Sequence, residues 1–418
     1  MDVTPGLRRD PAPDLEAVGE EADLVARIHD EIARDGPMTF ARFMDLALYH
    51  PDGGYYRAEA ARPGRDGDFL TAPEAHSIFG AALARAVADA WDRLGRPDGF
   101  VLREYGAGTG ALGLAILDGV GRERPDLGAT IRYQPIEVEA RRLDRIAARF
   151  AATGHGATLD ISGAALGASA GAAPGAPPGA AGSAAGERPL DGFVLANEVL
   201  DALPTHRLVM RTGVLCEVLV GSRDGAFVDV EADPSTAALA ARLEVENVTL
   251  ADGQRAEICL ALDGWVGNVA AGVARGVVLL IDYGYPATEL YDPIRRRDGT
   301  LRAYLRHRVH DDPYAHVGRQ DLTAHVDVTA VERAAGEAGL VHLGTTTQAE
   351  FLVGLGTEGL LQAIQNDPAT TMEDYLAVRS ALMRMLDPSA MGRFRVMGFG
   401  RDWPAGSPLA GFKFRLSR

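Results

Sequence analysis

The chain contains 418 residues, of which 47% are hydrophobic, and its formal net charge is -16. Nucleic acid is not expected as a partner, because phosphate backbones would repel so acidic a chain. Its two cysteines, Cys216 and Cys259, support neither a disulfide scaffold nor a zinc cage. We find no apolar signal-peptide core, no transit-peptide composition and no stretch long and apolar enough for a membrane span, so we expect a cytoplasmic protein.

The N-terminal part predicts a tail followed by helices. Residues 1–20 are polar and acidic, which predicts a disordered tail, and residues 21–99 predict a helical extension. Within it, Thr39 is placed to cap a helix. A further helix is expected to begin near residues 71–73 and to run to Leu94.

From residue 100 onward, candidate strands alternate with candidate helices. Strands are expected at 100–105, 131–138, 157–161 and 276–282, and at 192–204 a strand that passes through a turn into a short helix. Residues 207–275 alternate in short apolar and polar runs, which predicts an inserted antiparallel β section. We therefore predict an α/β fold with a mostly parallel, doubly wound sheet, split into 100–206 and 276–418. A low-complexity Gly/Ala loop is expected over 162–187.

The stretch "LREYGAGTGALG" (102–113) predicts a strand, a glycine turn and a helix. Its glycines Gly106, Gly108 and Gly110 follow Glu104, an acid at the strand end. Gly-x-Gly-x-x-Ala would also suit NAD, and a tight turn that binds nothing is the third alternative. We favour S-adenosyl-L-methionine (SAM), since glycines let the backbone approach the ligand closely and Glu104 can attract a cationic amino group.

A second strand end gives a further test of the cofactor site. Glu137 lies there between apolar neighbours, where an unpartnered acid is costly, and an acid at this point can bond ribose hydroxyls. The cofactor-binding residues that we expect are Glu104, Gly106, Ala107, Gly108, Gly110, Glu137, Asp160, Asn197, Thr71 and Pro73.

Several stretches together resemble one family. They are "GPMTFARFMDLALYHPDGGYY", "GDFLTAPEAHSIFG", "LREYGAGTGALG", "ANEVLDALPTHR", "LLIDYG" and the segment containing "DLTAHVD", in this order. The chain resembles the MidA-like SAM-dependent methyltransferases, relatives of the mitochondrial protein arginine methyltransferase that assists complex I assembly, over about residues 24–355. The loop GAGTGALG departs from the family's GPGRGTL-like form, but its glycine frame is kept.

The resemblance implies a fold, a cofactor and a substrate. The fold is a class I methyltransferase fold, which is Rossmann-like with seven strands, and SAM lies in the glycine-loop crevice. The segment with Asp68, Thr71 and Glu74 is implied to close over SAM. The methyl group would pass to a protein, at an arginine side chain. The alternatives are a small-molecule O- or N-methyltransferase and a catalytically silent assembly factor; a homo-oligomer is allowed.

Carboxylates are the natural partners of a guanidinium acceptor. Glu198 is our candidate to hold the acceptor, and Asn197 could position a substrate group or the sulfonium end of SAM. Asp201 could act on the acceptor or could cap the next helix. His325 could work with Asp327, which faces the same way in an extended segment, or could form a structural hydrogen bond. The expected catalytic residues are thus Glu198, Asn197, Asp201 and His325.

Three further features carry alternatives. A structural role is favoured for Asp321, whereas Asp282 and Tyr283 could line a substrate channel or pack. The tyrosines at 285, 291, 304 and 314 are expected to pack in loops, although their arginine neighbours could meet an acidic partner protein.

Overall fold

The computed structural model describes residues 18–57, 76–162, 189–406 and 408–414. The predictions for Asp68, Thr71, Pro73 and Glu74, for nearly all of the 1–20 tail and for the low-complexity loop therefore lie outside the described residues.

Fifteen strands and thirteen α-helices are assigned to the described residues. The strands are β1 (Val101–Tyr105), β2 (Arg132–Ile136), β3 (Leu190–Asn197), β4 (His206–Arg211), β5 (Val214–Arg223), β6 (Ala226–Ala232), β7 (Arg255–Ile258), β8 (Val273–Asp282), β9 (Gly284–Tyr285), β10 (Arg302–Leu305), β11 (Arg308–His310), β12 (Asp321–Thr323), β13 (Val326–Asp327), β14 (Val341–Thr347) and β15 (Arg395–Arg401). The helices are α1 (Ala22–Asp35), α2 (Phe40–Tyr49), α3 (Ile78–Arg93), α4 (Ala111–Glu123), α5 (Pro125–Gly128), α6 (Ala140–Ala152), α7 (Ala238–Val245), α8 (Ala261–Ala271), α9 (Ala287–Leu290), α10 (Val328–Glu337), α11 (Gln348–Gly354), α12 (Thr357–Asn366) and α13 (Met372–Leu386).

The main sheet has six strands in the order β14-β15-β8-β3-β1-β2. β1 pairs in parallel with both β2 and β3, and β3 pairs in parallel with β8, whereas β15 is antiparallel to β8 and β14. The strand order reverses between β1 and β3. In such sheets ligands bind outside the carboxyl ends of the strands at this reversal, so the loops after β1 and β3 frame the expected site.

Both faces of the sheet are covered by helices because the buried strands are apolar on both sides. Phe193 and Leu195 belong to one buried cluster with α3, α4 and α6, and Val194 and Ala196 belong to the opposite cluster with α8 and α10. Alternation along β3 therefore fixes which helix layer each side chain meets. The sheet is doubly wound, as the sequence predicts, but it has six strands among the described residues where the resemblance implies seven, since the stretch expected as the third strand forms only one bridge.

Helices α1 and α2 pack on the inserted section rather than on the main sheet. β4 to β7 form an antiparallel sheet in the order β6-β5-β4-β7, in the region where the sequence predicts an insertion. Met38 and Val220 exchange two backbone hydrogen bonds of 3.0 and 2.8 Å, which join the start of α2 to β5. The Thr39 side chain caps α2 by accepting from the backbone N–H of Arg42, as expected.

Three predicted elements differ in the structure. The strand over 157–161 is reduced to one bridge between Leu159 and Tyr133, since residues 156–158 form a 3₁₀ turn. Among the described residues α3 begins at Ile78, later than expected. No helix follows β3, because residues 198–203 form turns.

Candidate active site

The glycine loop after β1 takes a conformation that side chains resist. The φ angles of Gly106, Gly108 and Gly110 are +66°, +57° and +73°, in the left-handed region. A Cβ on Gly106 would lie 2.8 Å from Cγ2 of Val199, in the turn after β3. The loops that follow β1 and β3 are therefore in contact, and the crevice between them accepts only glycine at position 106.

Glu137 joins the glycine loop to the tip of β2. The residue is 3% exposed, and its carboxylate accepts hydrogen bonds from the backbone N–H groups of Gly108 and Val138. Arg142 lies 3.5 Å from Oε2. Burial raises the pKa of Glu137 in spite of these donors. The structure thus places this carboxylate against the loop, at the position where an acid can meet ribose hydroxyls.

Glu104 is turned into the packed interior behind the loop. It is 4% exposed, and its Oε2 accepts a hydrogen bond of 2.6 Å from the hydroxyl of Tyr133 on β2. Burial raises the pKa of Glu104 to about 8. Contact between Glu104 and the cofactor's amino group stays a prediction, and Tyr133 is a partner that sequence reasoning did not anticipate.

Asp160 lies beside the middle of β2 rather than at its tip. Its backbone N–H donates to the carbonyl of Tyr133 over 2.8 Å. Its carboxylate accepts from Gln134 Nε2 over 2.8 Å and from the Ser162 backbone N–H over 3.0 Å. A cofactor contact of Asp160 stays a prediction.

The end of β3 is strained and polar. Glu198 has φ +55°, which is uncommon outside glycine, and its backbone N–H donates to the carbonyl of Ile281 over 2.8 Å. Asn197 Nδ2 donates to Oε1 of Glu198 over 3.0 Å, whereas Oδ1 of Asn197 is buried without a hydrogen-bond partner among the described residues. An orphaned acceptor beside the glycine loop suits a ligand that brings its own donor.

Asp282, the last residue of β8, fixes the turn after β3. Its Oδ2 accepts from the backbone N–H groups of Val199, Leu200 and Asp201 over 3.0, 2.8 and 3.4 Å. Burial raises the pKa of this fully buried carboxyl to about 7, against these donors. Sequence reasoning offered Asp282 for a substrate channel, but the structure makes it the support of the neighbouring turn. Because residues 198–203 form turns instead of the expected helix, Asp201 has no helix to cap.

Two acidic residues of that turn, Glu198 and Asp201, interact through their charges with Asp321 of β12, and the backbone N–H of Ala324 donates to the carbonyl of Asp201 over 2.9 Å. We call Glu198, Asp201 and Asp321 the acceptor cluster. Burial, followed by the charges of Asp282, Asp321 and Glu198, raises the pKa of Asp201 well above its usual range. Asp321 is 2% exposed and accepts a hydrogen bond of 2.9 Å from the hydroxyl of Tyr56.

Aromatic rings surround the acceptor cluster. The pKa of Tyr304 is raised to about 12 by burial and then by Asp201 and Asp321. Burial and then the charge of Glu198 raise the pKa of Tyr283. Tyr291 and Tyr314 lie elsewhere: they donate to Glu257 O over 3.3 Å and to Asp229 Oδ1 over 2.6 Å. Of the four tyrosines grouped in the sequence analysis, Tyr285 and Tyr291 pack in one hydrophobic cluster, whereas Tyr304 and Tyr314 lie elsewhere.

His325 and Asp327 form no hydrogen bond with each other in the described residues, since Nδ1 of His325 and Oδ2 of Asp327 are both buried without a hydrogen-bond partner; a catalytic role for His325 stays a prediction. Oδ1 of Asp327 caps α10 by accepting from the Ala330 backbone N–H over 3.1 Å. The ring of His325 instead lies 6.2 Å from that of Tyr283 and 5.5 Å from that of Tyr285, centroid to centroid. Its pKa is lowered to about 4 by burial and by nearby arginines, so the ring is neutral at physiological pH.

Two residues of the site, Asp282 and Tyr133, differ in whether the sequence alone could have indicated their contacts. A buried strand that ends in Asp282 marks a carboxylate at the site, but its donors are about 80 residues away in the chain. Tyr133 carries no such signal, because its meeting with Glu104 depends on the register of β1 on β2. Among the described residues, no three His, Cys, Asp or Glu side chains are arranged to hold a metal ion.

Comparisons with known proteins point in one direction. Residues 82–346 match a family of presumed S-adenosyl-L-methionine-dependent methyltransferases. The mitochondrial protein arginine methyltransferase NDUFAF7 homologue of Drosophila melanogaster is 29% identical over 93% of this chain and 87% of its own length. Human mitochondrial NDUFAF7 is 27% identical over 87% of this chain and 79% of its own length.

A solved structure is similar over almost the whole chain. It is a protein from Burkholderia thailandensis, described as a methyl transferase and bound to S-adenosyl-homocysteine, with 32% identity and a TM-score of 0.81. The similarity covers 96% of this chain and 97% of that one.

These comparisons correct one prediction. The cytoplasmic location is wrong by this comparison, because the curated relatives are named mitochondrial. The absence of a leader pattern was a weak basis for naming a compartment. Of the helices in the described ranges, none combines the length and the apolar composition needed to cross a bilayer.

Proposed function

Since the chain belongs to the family of S-adenosyl-L-methionine-dependent methyltransferases, as its resemblance predicted, we propose that it methylates a protein at an arginine side chain. The fold class is that of these enzymes and the cofactor is SAM. The relatives named as protein arginine methyltransferases support the choice of acceptor. The observation that carries the proposal is the acceptor cluster, because two of its carboxylates, Glu198 and Asp201, belong to the same turn as Val199, which faces Gly106 of the glycine loop.

The crevice between the loops fits the cofactor. Gly106 and Gly108 give the loop a left-handed backbone without side chains, Glu137 offers acceptors for hydroxyl groups, and Oδ1 of Asn197 lacks a partner among the described residues. When bound, SAM supplies a methyl group on a sulfonium with an excellent leaving group. The protein then has to align the acceptor and exclude water.

The acceptor cluster matches what a guanidinium needs. Glu198 can accept two N–H groups of the planar fork and orient the attacking nitrogen. As the new N–C bond forms, that nitrogen releases one proton. Asp201 is the carboxylate that we assign to accept it: the step needs Asp201 in its ionised form, which the raised pKa makes a stronger base than an ordinary aspartate. Tyr283 and Tyr304 are buried next to the cluster, and their rings help to exclude water from it.

The proposal is tested by incubating the protein and labelled SAM with lysate from a strain that lacks it, and by mapping the labelled residue. We expect label on arginine of one or a few proteins. Glu198→Gln should lower transfer about 100-fold or more with SAM affinity unchanged, because it removes charge from the acceptor side alone. Gly106→Val should abolish both binding and transfer, since its side chain would collide with Val199.

Other outcomes contradict the proposal. Label on lysine or on a small molecule would refute arginine as the acceptor. Saturable SAM binding without label on any lysate protein would favour a silent assembly factor. Full transfer by Glu198→Gln would remove that residue from the acceptor site.

A further inference from the structure

Several arginine and aromatic side chains lie close together around Tyr283, Tyr285 and His325, beside the acceptor cluster. The guanidinium of Arg296 lies 3.7 Å from the ring centroid of Tyr285, and that of Arg393 lies 5.9 Å from that of Tyr283. Both tyrosines flank the ring of His325. We call Arg296, Arg302 and Arg393 the arginine rim.

The rim arginines interact only loosely with carboxylates of the described chain: the charge of Arg296 acts on Asp292 and that of Arg302 on Glu257, without a short ion pair in either case. In the described part of the chain neither Arg296 nor Arg393 has a carboxylate within ion-pair distance, and Arg296 donates to the backbone carbonyl of Glu289. Arg302 lies 3.5 Å from Asp311, but the Asp311 side chain is 85% exposed, so water weakens that pair. Burial and then the charges of all three arginines lower the pKa of His325, whose ring lies beside those of Tyr283 and Tyr285.

The rim and the acceptor cluster carry opposite charge and both lie near Tyr283. Tyr283 directly follows Asp282, which holds the turn after β3, and the guanidinium of Arg393 lies 5.9 Å from the Tyr283 ring centroid. A cationic acceptor that enters past the rim is repelled unless its own neighbours carry negative charge. Guanidinium groups bind carboxylates strongly and directionally, so acidic flanking residues would satisfy the rim.

We propose that the arginine rim binds acidic residues that flank the acceptor arginine of the protein substrate. This inference rests on the proposed function and names the sequence context that the site selects. A nucleic acid is the less favoured occupant, because the chain as a whole carries a net charge of -16.

The test uses two fluorescent peptides and the whole protein saturated with S-adenosyl-homocysteine. One peptide has a central arginine with two glutamates on each side, and the other has glutamines instead. We expect the glutamate peptide to bind about tenfold more tightly at low salt. The triple variant Arg296→Gln, Arg302→Gln and Arg393→Gln should abolish this preference.

A matched control keeps the change in net charge constant. The triple variant Arg27→Gln, Arg122→Gln and Arg379→Gln alters exposed arginines that lie on α1, α4 and α13. It should keep the preference, because screening limits the reach of exposed charges. The rim variant should still bind S-adenosyl-homocysteine, which shows that it is folded.

Two results would overturn the inference: equal affinity of both peptides for the unaltered protein, or a preference that survives in the rim variant. Tighter rim-dependent binding of a single-stranded RNA 20-mer would assign the rim to nucleic acid instead. Replacing the central arginine by alanine separates the two proposals. Replacing the arginine should weaken binding through the acceptor cluster, whereas replacing the glutamates should weaken binding through the rim. Either proposal can therefore fail while the other holds.

Discussion

Glu104 is a carboxyl group that folding makes harder to ionise. Its burial outweighs the hydrogen bond from Tyr133, and its pKa rises from 4.5 to about 8. Between these two values the folded chain keeps a proton that the unfolded chain releases. This contribution to stability is complete below about 4.5 and is lost as the pH rises through about 8.

Glu104→Gln should therefore flatten the pH dependence of the unfolding free energy over that interval. A glutamine keeps the hydrogen bond to Tyr133 and cannot ionise, so the variant should gain on the order of a few kcal/mol at the alkaline end. Urea unfolding at several pH values measures this. Glu373→Gln, at an exposed position on α13, is the control. Parallel pH profiles for Glu104→Gln and the unaltered protein would contradict the assignment.

Single residues of the site differ in how far sequence can predict them. Glu198 and Asp201 could be selected because "ANEVLDALP" follows a buried strand, and the structure brings them together. The support given by Asp282 and the approach of Asp321 could not, since both depend on contacts between distant segments. Pairing of Asp327 with His325 was only one alternative from the sequence, because a carboxylate before a helix serves equally well as an N-cap, which is the role that Asp327 has in the structure.

At the scale of elements, the approach of α4 to β2 depends on one glycine. A Cβ on Gly113 would lie 2.2 Å from Cζ of Tyr133, whose hydroxyl holds Glu104. Gly113→Ala should lower the free energy of unfolding by about 1–3 kcal/mol through overpacking, and should weaken SAM binding because Tyr133 and the loop must shift.

The same helix offers a matched control. A Cβ on Gly121 would meet nothing within 4 Å, so Gly121→Ala should stabilise the protein by about 0.5–1 kcal/mol through helix propensity. Denaturant unfolding and calorimetry with SAM measure both variants. Equal stability of the two would show that the contact at Gly113 relaxes without strain.

Elements with local signals were predictable, and those set by distant contacts were not. α2 follows from Thr39 and the apolar spacing after it, both of which are readable along the chain. The helix expected after β3 fails because Asp282 takes the backbone donors of residues 199–201. The strand at 157–161 shrinks to one bridge because a 3₁₀ turn takes up its first residues.

At the scale of the molecule, the N-terminal extension reaches the acceptor side of the site. Tyr49 donates to the carbonyl of Ala202 over 3.0 Å, and Tyr56 donates to Asp321 over 2.9 Å. The two rings are stacked 5.3 Å apart. A segment from the start of the chain thus helps to hold the loops that follow β3 and β11.

Tyr56→Phe should weaken the acceptor side without affecting the cofactor side. It leaves the buried Asp321 carboxylate without this donor. The loss lowers the free energy of unfolding by about 1–3 kcal/mol and disfavours the ionised form of Asp321. We expect a several-fold higher KM for the protein acceptor and an unchanged affinity for S-adenosyl-homocysteine. Tyr49→Phe, which removes a bond to backbone only, should lose stability but keep KM. The same KM for both variants would contradict the role of Tyr56.

The whole fold was more predictable than its location in the cell. Alternating strands and helices from residue 100 onward, with an antiparallel insertion, are enough to predict a doubly wound sheet and its switch point. The cellular compartment depends on targeting signals and not on how the chain packs. The physical reasoning that predicts the fold therefore does not predict the compartment.

Asp282, at the carboxyl end of β8, holds the turn after β3, whereas our proposal gives the chemistry to Glu198 and Asp201 in that turn. Under this proposal the support and the chemistry belong to different residues. Substitutions of Glu198 or Asp201 can then change which acceptor is used, while the contacts of Asp282 with the backbone keep the turn in place.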